Sequence, residues 1–322
     1  MKRLICLLGI LMYLGCDACR AETKGGDAKG GDAKSADTKA EEPLAYKFNK
    51  NEAINYGVTI TSTVMTEKAS GNKSTQTTKQ ELVIEEKIVD VDKTGSAEIQ
   101  ITFKSAKMDI KISSGADREP KPPDTLKYFA GRSVTVQITA DGEVLAVRLV
   151  PSIVSAAKEA AKDPALMELI DQTYGEDFFK ELIQNLHPRF PLDTEQMKEG
   201  WKVITDIPIA RTAYKLRVTT KSSLGRVEGG VAHILMDGNI KEMPVDPEAP
   251  KNEAAPVVNV LASSITGDAQ FQLDKGAMIS SSVEQRMTLR TRMLVKPPGR
   301  GAPVSTEGVT KSTTAMTVKR LK

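Results

Sequence analysis

An alternation of apolar and polar residues with a period of two runs through the sequence from Leu44 onward. Successive side chains of a β-strand point to opposite faces of a sheet, so each run predicts a strand with one buried side. Pairs such as Asp141-Gly142 and Asp237-Gly238 separate the runs and predict turns. The pattern therefore indicates an antiparallel sheet. The clearest runs are 56–60, 97–103, 108–112, 134–138, 145–149, 214–218 and 269–273.

The middle of the chain follows a helical period instead. Asp163-Pro164 predicts a helix start, because Asp caps free N–H groups and Pro is tolerated at the first helical position. An amphipathic stripe from Phe178 to Leu186 predicts a second helix that ends before Pro188, and the Ala-rich stretch 152–161 predicts another. The predicted fold class is mainly β with a central helical insertion (α+β), in which the helices cover a sheet face.

Two stretches on either side of the helices have a similar layout. Residues 136–144 and 271–279 each contain a strand, a tight turn with Gly and a second strand. The similarity predicts two related antiparallel β lobes, or curved sheets, that flank the helices. A boundary near Leu192 would separate lobes 44–191 and 192–322, and one continuous sheet is the alternative.

Residues 1–15 have the layout of an export signal. Lys2 and Arg3 precede an apolar run over 4–14. That run is shorter than the roughly 20 residues that a helix needs to cross a bilayer, and it suits the core of a signal peptide. We therefore predict that the protein is exported.

Gly15-Cys16 follows this signal and resembles the bacterial lipobox, in which the cysteine is lipidated and becomes the mature N-terminus. Tyr13 departs from that pattern, where an aliphatic residue is usual. Cys19-Arg20-Ala21 offers a rival cleavage site for an ordinary signal peptidase, and Cys16-Asp17-Ala18 offers a poorer one. The resemblance implies lipidation at Cys16 and attachment to the periplasmic side of a membrane. With ordinary cleavage the protein would be secreted or periplasmic.

Residues 16–43 contain the sequence GGDAK twice and no aromatic or large aliphatic side chain. Such a segment cannot bury enough apolar surface to offset the entropy of ordering. We predict a flexible low-complexity tether between the anchor and a β-rich domain at 44–322. Because Cys6, Cys16 and Cys19 are the three cysteines of the chain, that domain contains no disulfide and no thiolate metal site.

Short motifs mark the folded part of the chain. They are Gly131-Arg132-Ser133-Val134-Thr135-Val136, Asp141-Gly142-Glu143-Val144, Pro191-Leu192 and Gly200-Trp201. Together with the signal and the tether, residues 44–322 resemble an uncharacterised family of secreted bacterial β-rich proteins, for which no catalytic residues are known. At the level of the fold, the chain is also similar to the half-barrels of periplasmic lipoprotein carriers. That likeness implies an apolar concave face able to hold acyl chains.

The composition disfavours other classes of function. Lys and Arg total 45 against 42 for Asp and Glu, so there is no strong field for nucleic acid. With two His residues, a His-based metal site or triad is hard to assemble. His187 is expected to cap a helix end or face water, and His233 to be structural. We predict no catalytic residues, no metal and no cofactor, and therefore not an enzyme.

Residues 88–94 match the DxDxT signature of aspartate-nucleophile phosphatases. That chemistry needs the motif at the end of a central parallel strand. Here Gly95 and another alternating run follow at once. We therefore expect Asp90 and Asp92 to lie in a solvated hairpin turn.

Four residues are candidates for contact with a ligand or a lipid headgroup. Trp201 either packs in the core or stacks on a ligand. Arg286, Arg290 and Arg292 have a strand-like spacing that puts them on one face, where they would contact anionic headgroups or glycans. The alternative for the arginines is a solvated sheet face balanced by acidic neighbours.

The function predicted is that of a lipid-anchored envelope protein that binds without catalysis and holds a lipid-like ligand in an apolar groove. The alternatives are a structural or interaction module for an envelope protein and, with least support, a periplasmic hydrolase. A carrier predicts an internal apolar cavity, whereas an interaction module predicts a filled core and an exposed apolar patch. A hydrolase predicts clustered carboxylates with shifted pKa values in a cleft.

Overall fold

Eleven β-strands form one antiparallel sheet in the computed structural model, which describes residues 44–68, 71–114, 123–209, 212, 214–245, 256–295 and 304–322. The strands are β1 Ala53–Lys68, β2 Lys73–Val91, β3 Ala97–Ser114, β4 Ser133–Ile138, β5 Val144–Arg148, β6 Trp201–Pro208, β7 Tyr214–Glu228, β8 Val231–Pro244, β9 Val257–Gln272, β10 Ala277–Val295 and β11 Val304–Arg320.

The first and last strands are neighbours in the middle of this sheet. The order is β5-β4-β3-β2-β1-β11-β10-β9-β8-β7-β6, so β5 and β6 form its two edges. Each strand from β2 to β5 pairs with the preceding one, and so does each strand from β7 to β11. The chain therefore builds one half outward from the centre, crosses through the helices, and builds the other half back to the centre.

This topology bears on the expectation of two lobes. The halves before and after Leu192 share one sheet through the β1–β11 pairing, which runs from Tyr56 opposite Arg320 to Lys68 opposite Gly308. Two separate lobes are therefore not confirmed. The prediction of an antiparallel, mainly β fold with helices in the middle of the chain is confirmed.

The alternation in the sequence corresponds to burial of one sheet face. In β4, for example, Val134, Val136 and Ile138 are fully buried while the intervening residues are partly exposed. One predicted turn is wrong, because Asp237-Gly238 lies inside β8, where Gly238 pairs with Thr220 and Ile265 on its two sides. Asp-Gly favours a hairpin locally, but two long neighbouring strands hold this pair in the ladder.

The helical segment lies between the two edge strands. The side chain of Asp163 accepts a hydrogen bond from Ala165 N at 2.8 Å, which confirms the predicted N-cap. No helix among the described residues has both the length and the apolar composition needed to cross a membrane. The helices are a 3-10 helix at Leu126–Phe129, α1 Val150–Ala161, α2 Pro164–Thr173, α3 Glu176–Leu186 and α4 Thr194–Glu199.

The sheet is rolled, as the segment before β1 demonstrates. Tyr46 N donates to Ala140 O (2.7 Å) after β4, and Lys47 N donates to Gly276 O (3.0 Å) before β10. In a flat sheet β4 and β10 would be about 24 Å apart, since neighbouring strands are spaced by about 4.8 Å. Two adjacent residues cannot span that distance, so the two halves curve toward each other.

The rolled sheet has an inner face that carries two separate apolar clusters. The first apolar cluster combines both halves of the sheet with the helices and is centred on Ile84, Ile99, Phe179, Ile183 and Phe271. The second apolar cluster consists of strand residues: Ile207, Leu216, Val218, Ile240, Val258, Ile265, Met287 and Leu289.

Candidate functional site on the inner face of the sheet

Residues 44–49, here called the strap, cross the proximal end of the sheet, which is the end with the turns 139–143 and 273–276. Tyr46 is the centre of the strap's contacts. Its ring lies 5.1 Å from that of His187 and 5.3 Å from those of Phe190 and Phe271. Its hydroxyl donates to Pro188 O at 3.1 Å. The strap thus closes the proximal end of the inner face.

Glycines in both proximal turns make room for the strap. Gly142 has φ +90° and Gly276 has φ +54°. A Cβ atom on Gly142 would lie 2.7 Å from the Tyr46 ring, and one on Gly276 would overlap the backbone of Lys47. Each of the two stretches with a similar layout therefore supplies a turn that contacts the strap. These stretches are 136–144 and 271–279.

A buried histidine–glutamate pair lies beneath the strap. His187 Nε2 is 2.8 Å from Glu86 Oε1, and the two side chains are 3% and 1% exposed. The pair connects the end of α3 to β2 near the centre of the sheet. Among the described residues His187 Nδ1 has no hydrogen-bond partner, and a void of about 10 Å³ adjoins the ring. His187 lies at the helix end as predicted, but it is buried and does not face water.

The surroundings of this pair favour the protonated, uncharged form of the Tyr46 and Tyr56 hydroxyl groups. Burial raises the pKa of Tyr46 and of Tyr56, and the nearby Glu86 carboxylate raises both further. Glu86 was the residue that the sequence interpretation missed. It stands in the buried phase of β2, between Ile84 and Ile88. A carboxylate in an apolar phase is the local signal that could have marked it.

Arg189 joins the connection between α3 and α4 to the β4–β5 turn. It pairs with Asp141 at 3.2 Å and with Glu143 at 2.8 Å. Its carbonyl accepts a 3.0 Å hydrogen bond from Trp201 Nε1. The Trp201 ring also packs edge-on against Phe190, and the residue is buried. Trp201 thus lies in the core, and its contact with a ligand stays a prediction.

The three arginines share the outer face of β10. Arg286, Arg290 and Arg292 are exposed, while residues 285, 287 and 289 are buried. Arg286 pairs with Glu284 at 2.5 Å, and Arg292 pairs with Glu307 at 2.7 Å. These acidic neighbours match the alternative of a balanced, solvated face. Headgroup contact by this face remains a prediction.

The inner face also carries uncharged polar side chains beside the second apolar cluster. Ser62, Thr314 and Gln285 follow one another across β1, β11 and β10, and all are buried. Thr314 Oγ1 donates to Ser62 Oγ at 3.1 Å. Gln285 lies opposite Ile265 of the second cluster. Hydroxyl and amide groups are thus available next to apolar side chains.

The described residues contain two cavities of note, and neither is the internal apolar cavity of a preformed carrier. The larger, about 550 Å³, is an open surface groove formed by charged and amide residues. The smaller is the void beside His187. The groove is lined by Lys47, Asn49, Lys50, Asn51, Glu52, Asp274 and Lys275.

Carboxylates with shifted pKa values lie in separate elements. Arg217 and Lys215 lower the pKa of Asp206 in β6 to about 2, against the opposing effect of burial. Burial and the neighbouring Asp177 raise the pKa of Glu181 in α3 to about 8. Asp92 accepts hydrogen bonds from Thr94 and Ser96 in the β2–β3 turn, as a solvated hairpin requires.

The chain thus folds as a rolled antiparallel sheet that carries helices and the strap on its inner face. The chain belongs to a family of unknown function, DUF6263, whose sequence pattern matches residues 93–279. No curated protein matches the sequence.

Among solved structures, the chain is similar to lipovitellin, described by its lipid–protein interactions, at 8% identity and a TM-score of 0.42. That likeness covers 86% of this chain and 26% of lipovitellin. It is also similar to an outer membrane channel from Pseudomonas putida F1, at 10% identity and a TM-score of 0.20, over 89% of this chain and 100% of the channel. At such scores neither likeness carries a conclusion about this chain. The lipidation candidate Cys16 lies outside the described residues.

Proposed function

We propose that this chain is an exported, lipid-anchored envelope protein that binds an apolar molecule on the inner face of its sheet without catalysing a reaction. The observation that carries the proposal is the second apolar cluster. Helices and the strap cover the first cluster, whereas the second is formed by residues of β6 to β10. Its side chains are 1% to 8% exposed because they pack against one another, so an apolar ligand would insert among them and replace those contacts with its own.

The arrangement of anchor and sheet supports this role. The tether leads into the strap at Leu44, whose backbone N–H donates to Met197 Sδ at 3.2 Å. The strap enters at the proximal end, whereas the second cluster lies in the distal half of the strands. An anchor attached through Cys16 would therefore leave the distal half of the inner face free.

Native mass spectrometry tests the binding role. The full mature chain would be purified gently from the periplasm as the Cys16→Ser variant, so that no anchor is present. We expect a species carrying an additional lipid-sized mass that survives desalting. A uniformly unliganded mass, unchanged after incubation with extracted envelope lipids, would contradict the proposal.

Cell fractionation tests the anchor separately. We expect the wild-type protein in the membrane fraction and the Cys16→Ser variant in the soluble fraction. Cys19→Ser is the matched control, because it changes the neighbouring cysteine and should leave the protein on the membrane. Release by Cys19→Ser but not by Cys16→Ser would refute lipidation at Cys16.

A second candidate function is supported by exposed apolar side chains on the outer face. Leu235 in β8 and Leu261 in β9 are 54% and 47% exposed. Leu235 lies opposite Asp268, seven residues along β9 from Leu261, so the two side chains would contact another envelope protein at separate points. Crosslinking at these two leucines to a membrane protein, together with an unliganded mass, would favour this alternative.

A further inference from the structure

The sheet is split in the distal half of β8 and β9. Backbone pairing between them runs from Val231 opposite Gln272 to Gly238 opposite Ile265. Both strands continue beyond that point, β8 to Pro244 and β9 back to Val257. They keep their outer neighbours β7 and β10 over this stretch. The ladder thus opens between two strands that are each held on the other side.

Side chains replace backbone pairing across the split. Ser263 Oγ accepts a hydrogen bond from Ile240 N and donates one to Ile240 O, both at 2.8 Å. Glu242 Oε2 accepts a hydrogen bond from Val260 N, also at 2.8 Å. These bonds satisfy backbone groups that a ladder would otherwise pair. These bonds involve rotatable side chains, so they are easier to break than the backbone bonds of a continuous ladder.

Two glycines lie near the row where the ladder ends. Gly238 is in the last paired row, opposite Ile265, and Gly267 is two rows earlier, opposite Met236. A Cβ atom on Gly238 would overlap Thr219 O of β7, and one on Gly267 would lie 2.6 Å from Ser282 O of β10. Each strand therefore lies close to its outer neighbour near the start of the split. The second apolar cluster lies directly there, since Ile240, Val258 and Ile265 belong to the two separated strands.

We propose that the distal halves of β8 and β9 part to admit a single acyl chain into the second apolar cluster. This inference rests on the proposed function and assigns its entry route. From Ile265 to Val258 the strand extends about 23 Å at roughly 3.3 Å per residue. One acyl chain spans about half of a bilayer core of roughly 30 Å, so a single chain fits along β9.

A charged group at the split selects the headgroup. The Glu242 carboxylate lies at the opening, where it accepts the hydrogen bond from Val260 N, and it repels an anionic headgroup. The ligand class is therefore an amphiphile with one inserted acyl chain and no net negative charge. Pyrene-labelled lysophosphatidylcholine has both properties and serves as the test ligand.

The experiment compares the full mature chain, as Cys16→Ser, with two further variants on that background. Ser263→Ala removes both bonds to Ile240. Ser281→Ala is the matched control, because Ser281 is a buried serine of β10 whose two neighbours stay paired. Stopped-flow fluorescence should show association about tenfold faster for Ser263→Ala and unchanged for Ser281→Ala. A diazirine-labelled lysophosphatidylcholine should crosslink near Val258 and Met287.

Hydrogen exchange gives a readout that needs neither ligand nor variant. The amides of Ile240 and Val260 should exchange faster than those of Ile234 and Ala269, which lie in the paired half. Equal protection in both halves would overturn the lateral opening, even if Ser263→Ala failed to fold.

The remaining outcomes separate the two proposals. If the labelled lipid binds but crosslinks away from the second cluster, or if Ser263→Ala does not change its association rate, the entry route is wrong and the binding role stands. If no variant binds the lipid, the proposed function itself fails, whatever the exchange rates show. If Ser263→Ala instead forms dimers in size-exclusion chromatography, the split pairs with a strand of a second copy and the acyl-chain inference is wrong.

Discussion

At the residue scale, the buried His187–Glu86 pair is expected to stabilise the fold. Glu86→Ala would leave the buried imidazole without its partner, at a cost of about 2–3 kcal/mol in the free energy of unfolding. Glu81→Ala on the same strand is the control, since Glu81 is exposed and pairs with Lys79 at the surface. Urea unfolding followed by Trp201 fluorescence measures both. Equal midpoints for the two variants would refute a stabilising role for the buried pair.

Asp206 provides a pH-dependent test at the same scale. Its pKa is about 2 in the folded protein and about 3.9 when unfolded, so the unfolded state binds the proton more readily. The stabilisation is therefore present above about pH 4 and is lost as the pH falls toward 2. We expect Asp206→Asn to be less stable than wild type by about 1 kcal/mol at pH 7, after allowance for partial exposure, and equally stable near pH 2. A difference that is constant with pH would contradict this assignment.

At the element scale, the proximal turns determine whether the strap can dock. Gly276→Ala combines a left-handed φ with overlap of the Lys47 backbone, and we expect a loss of about 2–4 kcal/mol. Gly230→Ala separates the two causes, because Gly230 has φ +77° but open space around its Cβ position. That control should cost about 1 kcal/mol. In limited proteolysis, the strap should be cut faster in Gly276→Ala than in wild type, and at the wild-type rate in Gly230→Ala. Equal rates in the two variants would show that the overlap with Lys47 does not affect docking of the strap.

At the scale of the whole molecule, one sheet predicts one cooperative unit. Leu192 is 74% exposed, so a protease site inserted there should be cleaved without unfolding the protein. The two fragments should stay associated, because β1 pairs with β11 and the first cluster draws on both halves. Expressed separately, each fragment should lack stable structure by circular dichroism. Two independently folded fragments would instead restore the model of two lobes.

The local pattern of the sequence determined which segments are strands and which are helices. Alternation predicted the buried phase of strands such as β4, and Asp163 predicted the start of α2 correctly. These features depend on a few neighbouring residues. Side-chain direction alternates from one residue to the next along a strand, and an N-cap involves only the first residues of a helix. The length and polarity of residues 1–43 determined the predictions of a signal, an anchor and a tether in the same way.

The way in which these elements combine depends on contacts between distant parts of the chain. The β1–β11 pairing, the contact of both glycine turns with the strap, and the His187–Glu86 pair all join residues far apart in the chain. A local pattern cannot specify such contacts, because each depends on the roll of the whole sheet. The division of the inner face into two clusters and the end of the β8–β9 ladder at Gly238, where the local pattern predicts a turn, are also properties of the assembled sheet.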